Sequence, residues 1–229
     1  MALVALDSLK QMLGLDLADN TADPQLLILR DAAEKAVEMY CNREFAQKEV
    51  VEYHTGTGQP SIVLLHRPVV SILNLWVDYD GDYDETDPDP SYGPGTLLEP
   101  SADYVLERDG SWGGSPVSFC GVVNRRKTVW LPYYRTYQPG RLVAEGGPTY
   151  GSIKVQYVGG YAPVPDDLAY AIALYVATMR RVIPWGGKNV SERIGDYSYT
   201  LLPQFYRGLQ QPEMASVRQV LARYREVSL

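Results

Sequence analysis

Histidine, cysteine and phenylalanine are scarce in this 229-residue chain, at two, two and three copies, and each shortage removes a class of function. His54 and His66 are the only imidazoles, and neither lies beside a serine or cysteine pattern that would make a nucleophile elbow. A catalytic triad is therefore not expected. Cys41 and Cys120 lie far apart and form no C-x-x-C, which argues against a disulfide framework or a thiolate metal site and makes a reducing cytoplasm the expected compartment. Cationic side chains are also short, 21 Lys and Arg against 28 Asp and Glu, for a net charge of −7. Gripping nucleic acid requires Lys and Arg against phosphate, so that class is disfavoured. The one compact basic cluster, NRRKTVW at 124–130, reads as a solvated strand end or a contact to an acidic partner. No apolar run reaches the ~18 residues of a membrane span. The start, MALVALDSLKQML, lacks the basic opening and long apolar stretch of a signal peptide. The expectation is a soluble protein made inside a cell.

What is present is ordinary in amount and unusual in kind. Hydrophobic residues make up 45%, with 18 tyrosines and 4 tryptophans supplying nearly all the aromatic content. Tyrosine covers apolar surface while keeping a polar tip, which suits interfaces and half-wet sheet faces alike.

The periodicity runs from helix to strand and back to helix. Asp7-Ser8 offers a cap for a short helix that Gly14 stops. A longer helix is expected from Asp23 as cap and Pro24 as first residue to Asn42, with Leu26, Leu29, Ala33, Ala36, Val37 and Tyr40 on one stripe. From Lys48 the period falls to two. Strands are expected at 50–53, 62–65, 69–77, 104–107, 128–134 and 153–158, separated by Gly- and Pro-rich connections such as QPGRLVAEGGPTYGS. A helix then follows Pro165-Asp166-Asp167, carrying Leu168, Ile172, Tyr175 and Met179. After Pro184-Trp185-Gly186-Gly187 come a loop at Gly195-Asp196, a short strand at 197–202, and a last helix from Pro212-Glu213 with Met214, Val217, Leu221 and Tyr224 on one face.

Two stretches invite a chemical reading. DYDGDYDETDPDP at 78–90 holds seven acids and no Lys or Arg. As a calcium loop it fails, because a count from Asp78 or Asp80 puts Tyr83 or Glu85 where the turn glycine belongs and Asp89 or Ser91 where the last Glu belongs. Asp78, Asp80, Asp82 and Asp84 remain the candidate ligands should a hard cation bind, and a calcium-dependent β-domain binding module is the rival reading. A solvated hairpin tip is the preferred one. The second stretch is YVGGYAPVPDDLAYAI at 157–172. Its glycines match neither the dinucleotide nor the phosphate-loop spacing, and its prolines remove N–H groups that would bind phosphate. Gly159, Gly160, Pro163 and Pro165 therefore read as a strand-to-helix joint. Catalytic residues, cofactors and metals are not expected.

That junction, written Y-x-G-G-Y-x-x-V-P-x-x-L-x-x-A-I, resembles the head–tail connector (adaptor, or head-completion) proteins of tailed bacteriophages. Other landmarks follow in the same order: LDSLKQMLGLD and ADPQLLILRDAAEKAVEMYCNREF for two N-terminal helices, IVLLHRPVVSILNLWVD for a strand–Arg-Pro–strand element, SADYVLERDG for a hairpin and LARYR for the last helix. The acidic tip and the long Gly/Pro-rich stretch 91–151 depart from the pattern. The resemblance implies a non-enzymatic virion protein of the neck, assembled in the host cytoplasm. It would form a homo-oligomeric ring of twelve copies under the portal protein, pass double-stranded DNA through its lumen and present a platform to tail or stopper proteins, with no membrane contact. It implies portal contacts from the C-terminal segment, at Val217, Leu221, Tyr224, Arg225 and Leu229. A stopper or tail terminator is the alternative ring reading. The expected fold is α+β: a small helical bundle from residues 1–47 and 161–229, with a large β-rich insertion at 48–160 and helices 24–42 and 166–183 packed as the ring's wall.

Overall fold

The structure, a computed structural model, describes residues 2–78, 92–108, 117–130, 135–138, 141–144, 151–182, 190–194, 197–201 and 214–225. The chain divides into two units, one from Met1–Ala46 with Ala162–Leu229, the other from Gln47–Tyr161. The fold is mixed α+β, with helices in the first unit and antiparallel strands dominating the second.

The helical unit contains α1 (Leu6–Met12), α2 (Asp23–Cys41), α3 (Asp166–Val182) and α4 (Ala215–Leu221). Two starts differ from expectation. Ala5, rather than Asp7 or Ser8, is the N-cap of α1, and Asp7 lies in the first turn, where the helix dipole favours a carboxylate. Ala22 is the N-cap of α2, because Asp23 is engaged elsewhere: the buried Lys10 ammonium lies 2.6 Å from its Oδ1. The same ammonium donates to Asp19 O at 2.9 Å and Asn20 Oδ1 at 3.1 Å, so this buried charge is fully partnered. α2 ends at Asn42 in the left-handed region at φ 54°, a conformation Asn tolerates. Its buried face is Leu26, Leu29, Ala33, Val37 and Cys41, with Ala36 and Tyr40 half-buried at the margin. α2 packs on α3, whose Leu168, Ala171, Ile172 and Val176 are buried, and both pack on α1 and α4. Tyr175 and Met179 are only half-buried, since the buried arc of α3 runs along Leu168, Ile172 and Val176.

The second unit contains β1 (Lys48–His54), β2 (Ser61–Val63), β3 (Val69–Val77), β4 (Tyr104–Leu106), β5 (Val122–Arg125), β6 (Arg135–Gln138), β7 (Arg141–Ala144) and β8 (Ile153–Gly159). They form two three-stranded sheets, ordered β1-β8-β3 and β2-β5-β4, and the separate pair β6-β7. β8 shows strict alternation: Ile153, Val155 and Tyr157 are buried while Lys154, Gln156 and Val158 are half-exposed. The inward set joins Ile62, Leu75, Val77, Tyr104, Val123 and Trp130 in one core drawn from both three-stranded sheets. On the outward side Lys154 stands between Tyr53 and Trp76 in register, its ammonium 5.9 and 5.2 Å from their ring centres and 5.0 Å from that of Tyr92. Such cation–π contacts add about 0.5–1 kcal/mol each at partly exposed sites.

Two expectations fail here, and one expected strand gains a partner. Thr128–Trp130 is not a strand; the strand lies earlier, at Val122–Arg125, and Trp130 fills the core instead. Residues 131–134 lie outside the described residues. The stretch QPGRLVAEGG, read as a connection, contains β7 and the last residue of β6, the two strands paired from Arg135↔Ala144 to Gln138↔Arg141. In the helical unit the short strand at 197–202 is β10 (Tyr197–Leu201), but it has a partner that was not expected, β9 (Val190–Ile194).

Candidate functional site: the glycine joint and the C-terminal helix

β8 ends at Gly159, and the two glycines there do different things. A Cβ built on Gly159 would stand 2.0 Å from the carbonyl oxygen of His66, a distance no side chain can occupy. Gly160 has φ +95°, which side-chain-bearing residues rarely adopt, and its N–H donates to Pro68 O at 2.9 Å. Gly159 is thus required by close backbone approach and Gly160 by conformation. Beyond them the Gln47 N–H donates to Tyr161 O at 3.3 Å, so the first and last residues of the β unit are bonded to each other. In the helical unit Pro163 follows a cis peptide bond, and Pro165 O accepts from Ala169 N–H at 3.0 Å as α3 begins.

The loop that presses on Gly159 is Leu64–Pro68, and a carboxylate holds it. Glu52, on the inward phase of β1, accepts from Leu65 N–H at 3.1 Å and His66 N–H at 3.3 Å. The Tyr157 hydroxyl donates to the same carboxylate and accepts from His66 N–H at 2.8 Å. His54 Nε2 lies 3.1 Å from Glu52 Oε2. Burial by itself pushes this carboxyl up. The hydrogen bonds from His54, Tyr157 and Leu65 N–H outweigh that and hold it below its ordinary value. His54 and His66 are thus parts of a structural cluster, with no nucleophile among the residues bonded to them in it.

The expected portal-contact residues fall into three groups. Val217 and Leu221 are buried in the helical unit, and Leu221 O accepts from the Cys41 thiol at 3.7 Å. Exposing either would forfeit about 1.5–3 kcal/mol of apolar burial, so in this conformation they hold α4 rather than offer a surface. Tyr224 is half-buried: its hydroxyl donates to Asp167 Oδ1 at 2.6 Å, and its ring meets Phe45 edge-on at 5.9 Å. Arg225 is exposed, with its guanidinium 5.7 Å from the Tyr40 ring centre. Leu229 lies outside the described residues.

Of the acidic stretch, Asp78 is described and buried, its N–H donating to Ser152 O at 2.8 Å. Asp80, Asp82 and Asp84 lie outside the described residues. Among the described residues no group of three His, Cys, Asp or Glu could hold a metal ion. Within the basic cluster Arg125 stacks over Trp130 at 5.4 Å and Arg126 donates to Ser101 O, while Lys127 is exposed. No described helix is long and apolar enough to cross a membrane.

The Glu52 cluster and the Lys154 box were missed from sequence. The signal for the first was available: in V-E-Y-H the alternation puts Glu52 and His54 on the same side as Val50, the buried side of the sheet. An acid in the inward phase of a strand demands hydrogen-bond partners. The Lys154 box could not be seen before the register of β1, β8 and β3 was known.

No protein-family model matches the chain, and no curated protein sequence matches it. Solved structures do. A chain in the neck of an empty gene transfer agent particle, computed with C6 symmetry, is similar at 16% identity and TM-score 0.50, over 96% of this chain and 90% of that one. Chains of the native gene transfer agent virion (17%, TM-score 0.49) and of its neck computed with C12 symmetry (16%, TM-score 0.48) are also similar. They are covered over 91% and 84% of their lengths, by 99% and 90% of this chain. Over nearly its whole length, this chain has the fold of a protein found in the neck of a gene transfer agent particle.

Proposed function

We propose that this chain is a structural protein of the neck of a tailed, phage-like particle, acting as the adaptor ring between portal and tail. The observation that carries the reading is the end-to-end fold likeness to a neck chain, 96% of one against 90% of the other. A shared catalytic domain would leave extra segments unmatched; here both the helical and the β unit are included. The ordered motifs of the connector family along the same chain support it independently.

In this reading twelve copies close into a ring through two different lateral surfaces. The similar neck was computed with sixfold symmetry, which a twelve-copy ring also obeys. Net charge of −7 per copy keeps the ring from adhering to DNA, so a duplex slides through the lumen rather than being held. Portal contact falls to the exposed Arg223 and Arg225, with Leu229 outside the described residues, since Val217 and Leu221 are committed to the interior. The chain performs no chemistry; its work is positional.

Deleting its gene from the parent phage or particle tests this. The expected product, seen by electron microscopy, is DNA-filled heads and free tails that do not join, restored by supplying the protein. Complete particles without it would overturn the reading.

A further inference from the structure

Three features of the β unit converge on one short loop. The loop Leu64–Pro68 joins β2 to β3. Its residues Leu65 and His66 give their N–H groups to the Glu52 carboxylate, and Tyr157 bridges the same carboxylate to His66 N–H at 2.8 Å. Its other side is seated on the end of β8: His66 O fills the space above Gly159, and Pro68 O receives the Gly160 N–H at 2.9 Å. A third contact comes from Gly121, whose carbonyl holds the first residue of the loop. Leu64 N–H donates to Gly121 O at 2.9 Å, and a Cβ on Gly121 would stand 2.7 Å from the Arg67 side chain.

We propose that Glu52 is the latch of a conformational device: its carboxylate fixes the loop Leu64–Pro68, and the loop in turn fixes the backbone at Gly159–Gly160. One half-buried charge thereby sets whether the strand by which the chain leaves the β unit is rigid or free to bend. The logic is one of leverage. The carboxylate accepts from two main-chain N–H groups, a phenol and an imidazole, and anionic acceptors make the strongest of such bonds. Main-chain bonds to a flexible loop hold only as long as their acceptor does. Gly160, with φ +95° and no side chain to anchor it, is tied to the loop by the bond from its N–H to Pro68 O.

The groups that face Glu52 support a charge-controlled latch. His54 faces it from β1 itself and Tyr157 from β8; the loop contributes N–H groups, its His66 ring lying toward Gly159. The carboxyl is held below its ordinary 4.5, against the effect of burial, so the latch is closed at neutral pH and opens only when Glu52 protonates. This holds whatever the chain assembles with, and it is separable from the neck reading.

Residue-resolved amide hydrogen exchange on the full chain at neutral pH decides it, comparing wild type with Glu52→Gln. The expected result is roughly tenfold or more faster exchange at Leu65, His66 and Gly160 together, with the Val155 amide in the middle of β8 unchanged. Faster exchange at Leu65 and His66 with Gly160 unmoved would break the coupling and overturn the proposal. No change at any of the three would remove Glu52 as the latch. Should Glu52→Gln not fold, Tyr157→Phe must give the same three-residue pattern; a uniform rise across β8 in that variant would overturn the proposal. Wild type titrated downward from pH 7, after correction for intrinsic rates, must lose protection at the same three amides in one step that lies below pH 4.5.

Discussion

Replacing Gly159 by alanine perturbs the joint with the least added mass. The new methyl would stand 2.0 Å from His66 O, whereas real Cβ atoms essentially never come closer than 3.0 Å, so one partner must retreat by about an ångström. The carbonyl cannot do this freely. Its own residue is tied through N–H to Tyr157 at 2.8 Å and to Glu52 at 3.3 Å. Overpacking of a well-filled site costs about 1–3 kcal/mol, and an anchored backbone partner places this case at the top of that range, ~3 kcal/mol. Gly160→Ala is the internal comparison. It meets a left-handed φ of +95° rather than a collision, at about 1–2 kcal/mol. For a unit of this size ~3 kcal/mol lowers Tm by on the order of 10 °C, and Gly160→Ala by roughly half as much. Thermal denaturation followed by near-UV circular dichroism reads both. A Gly159→Ala protein melting within about 2 °C of wild type, or one more stable than Gly160→Ala, would refute the reasoning.

Lys10→Met leaves Asp23 facing a vacated cation at the base of α2; with Asp23 itself a fifth exposed, the cost expected in urea denaturation is about 2–3 kcal/mol, below the figure for a wholly buried pair. Burial pushes the Cys41 thiol up to about 11, so at pH 8 a disulfide reagent should titrate one thiol per folded chain, Cys120, and both after denaturation. Because the Glu52 carboxyl is held below 4.5 in the folded state, its contribution to stability is complete above that value and lost as pH falls through the lowered one. Glu52→Gln should therefore show a flatter loss of stability than wild type as pH falls below 4.5.

Much of the fold was legible because local signals and tertiary packing agreed. The β-branched run Val69–Val77, the apolar stripe ending at Asn42 and the Gly-Gly/Pro junction each have one stable outcome, and each is found where the pattern put it. The sequence marks a mechanical joint, but which glycine matters for what depends on the His66 carbonyl, which no local pattern reveals. β5, β6 and β7 were hidden for a different reason. At four residues each they are too short to show a period, and they sit among glycines, prolines and arginines that read as turns. Asp23 illustrates the limit of capping rules: an acid placed to cap a helix is instead the partner of a buried lysine thirteen residues earlier. Val217 and Leu221 carry the same lesson for the C-terminal site, since an apolar face suits docking and core packing equally until the neighbours are known.

The central claim is that this chain is a component of the neck. A cryo-electron microscopy reconstruction of the parent particle, with the chain fitted as separate helical and β units, tests it most directly. The account predicts a ring of density between portal and tail that accommodates both units in every copy, with the exposed C-terminal face around Arg225 turned to the portal. A neck whose density is filled by other chains, with this one found at the tail tip or absent from the particle, would contradict it.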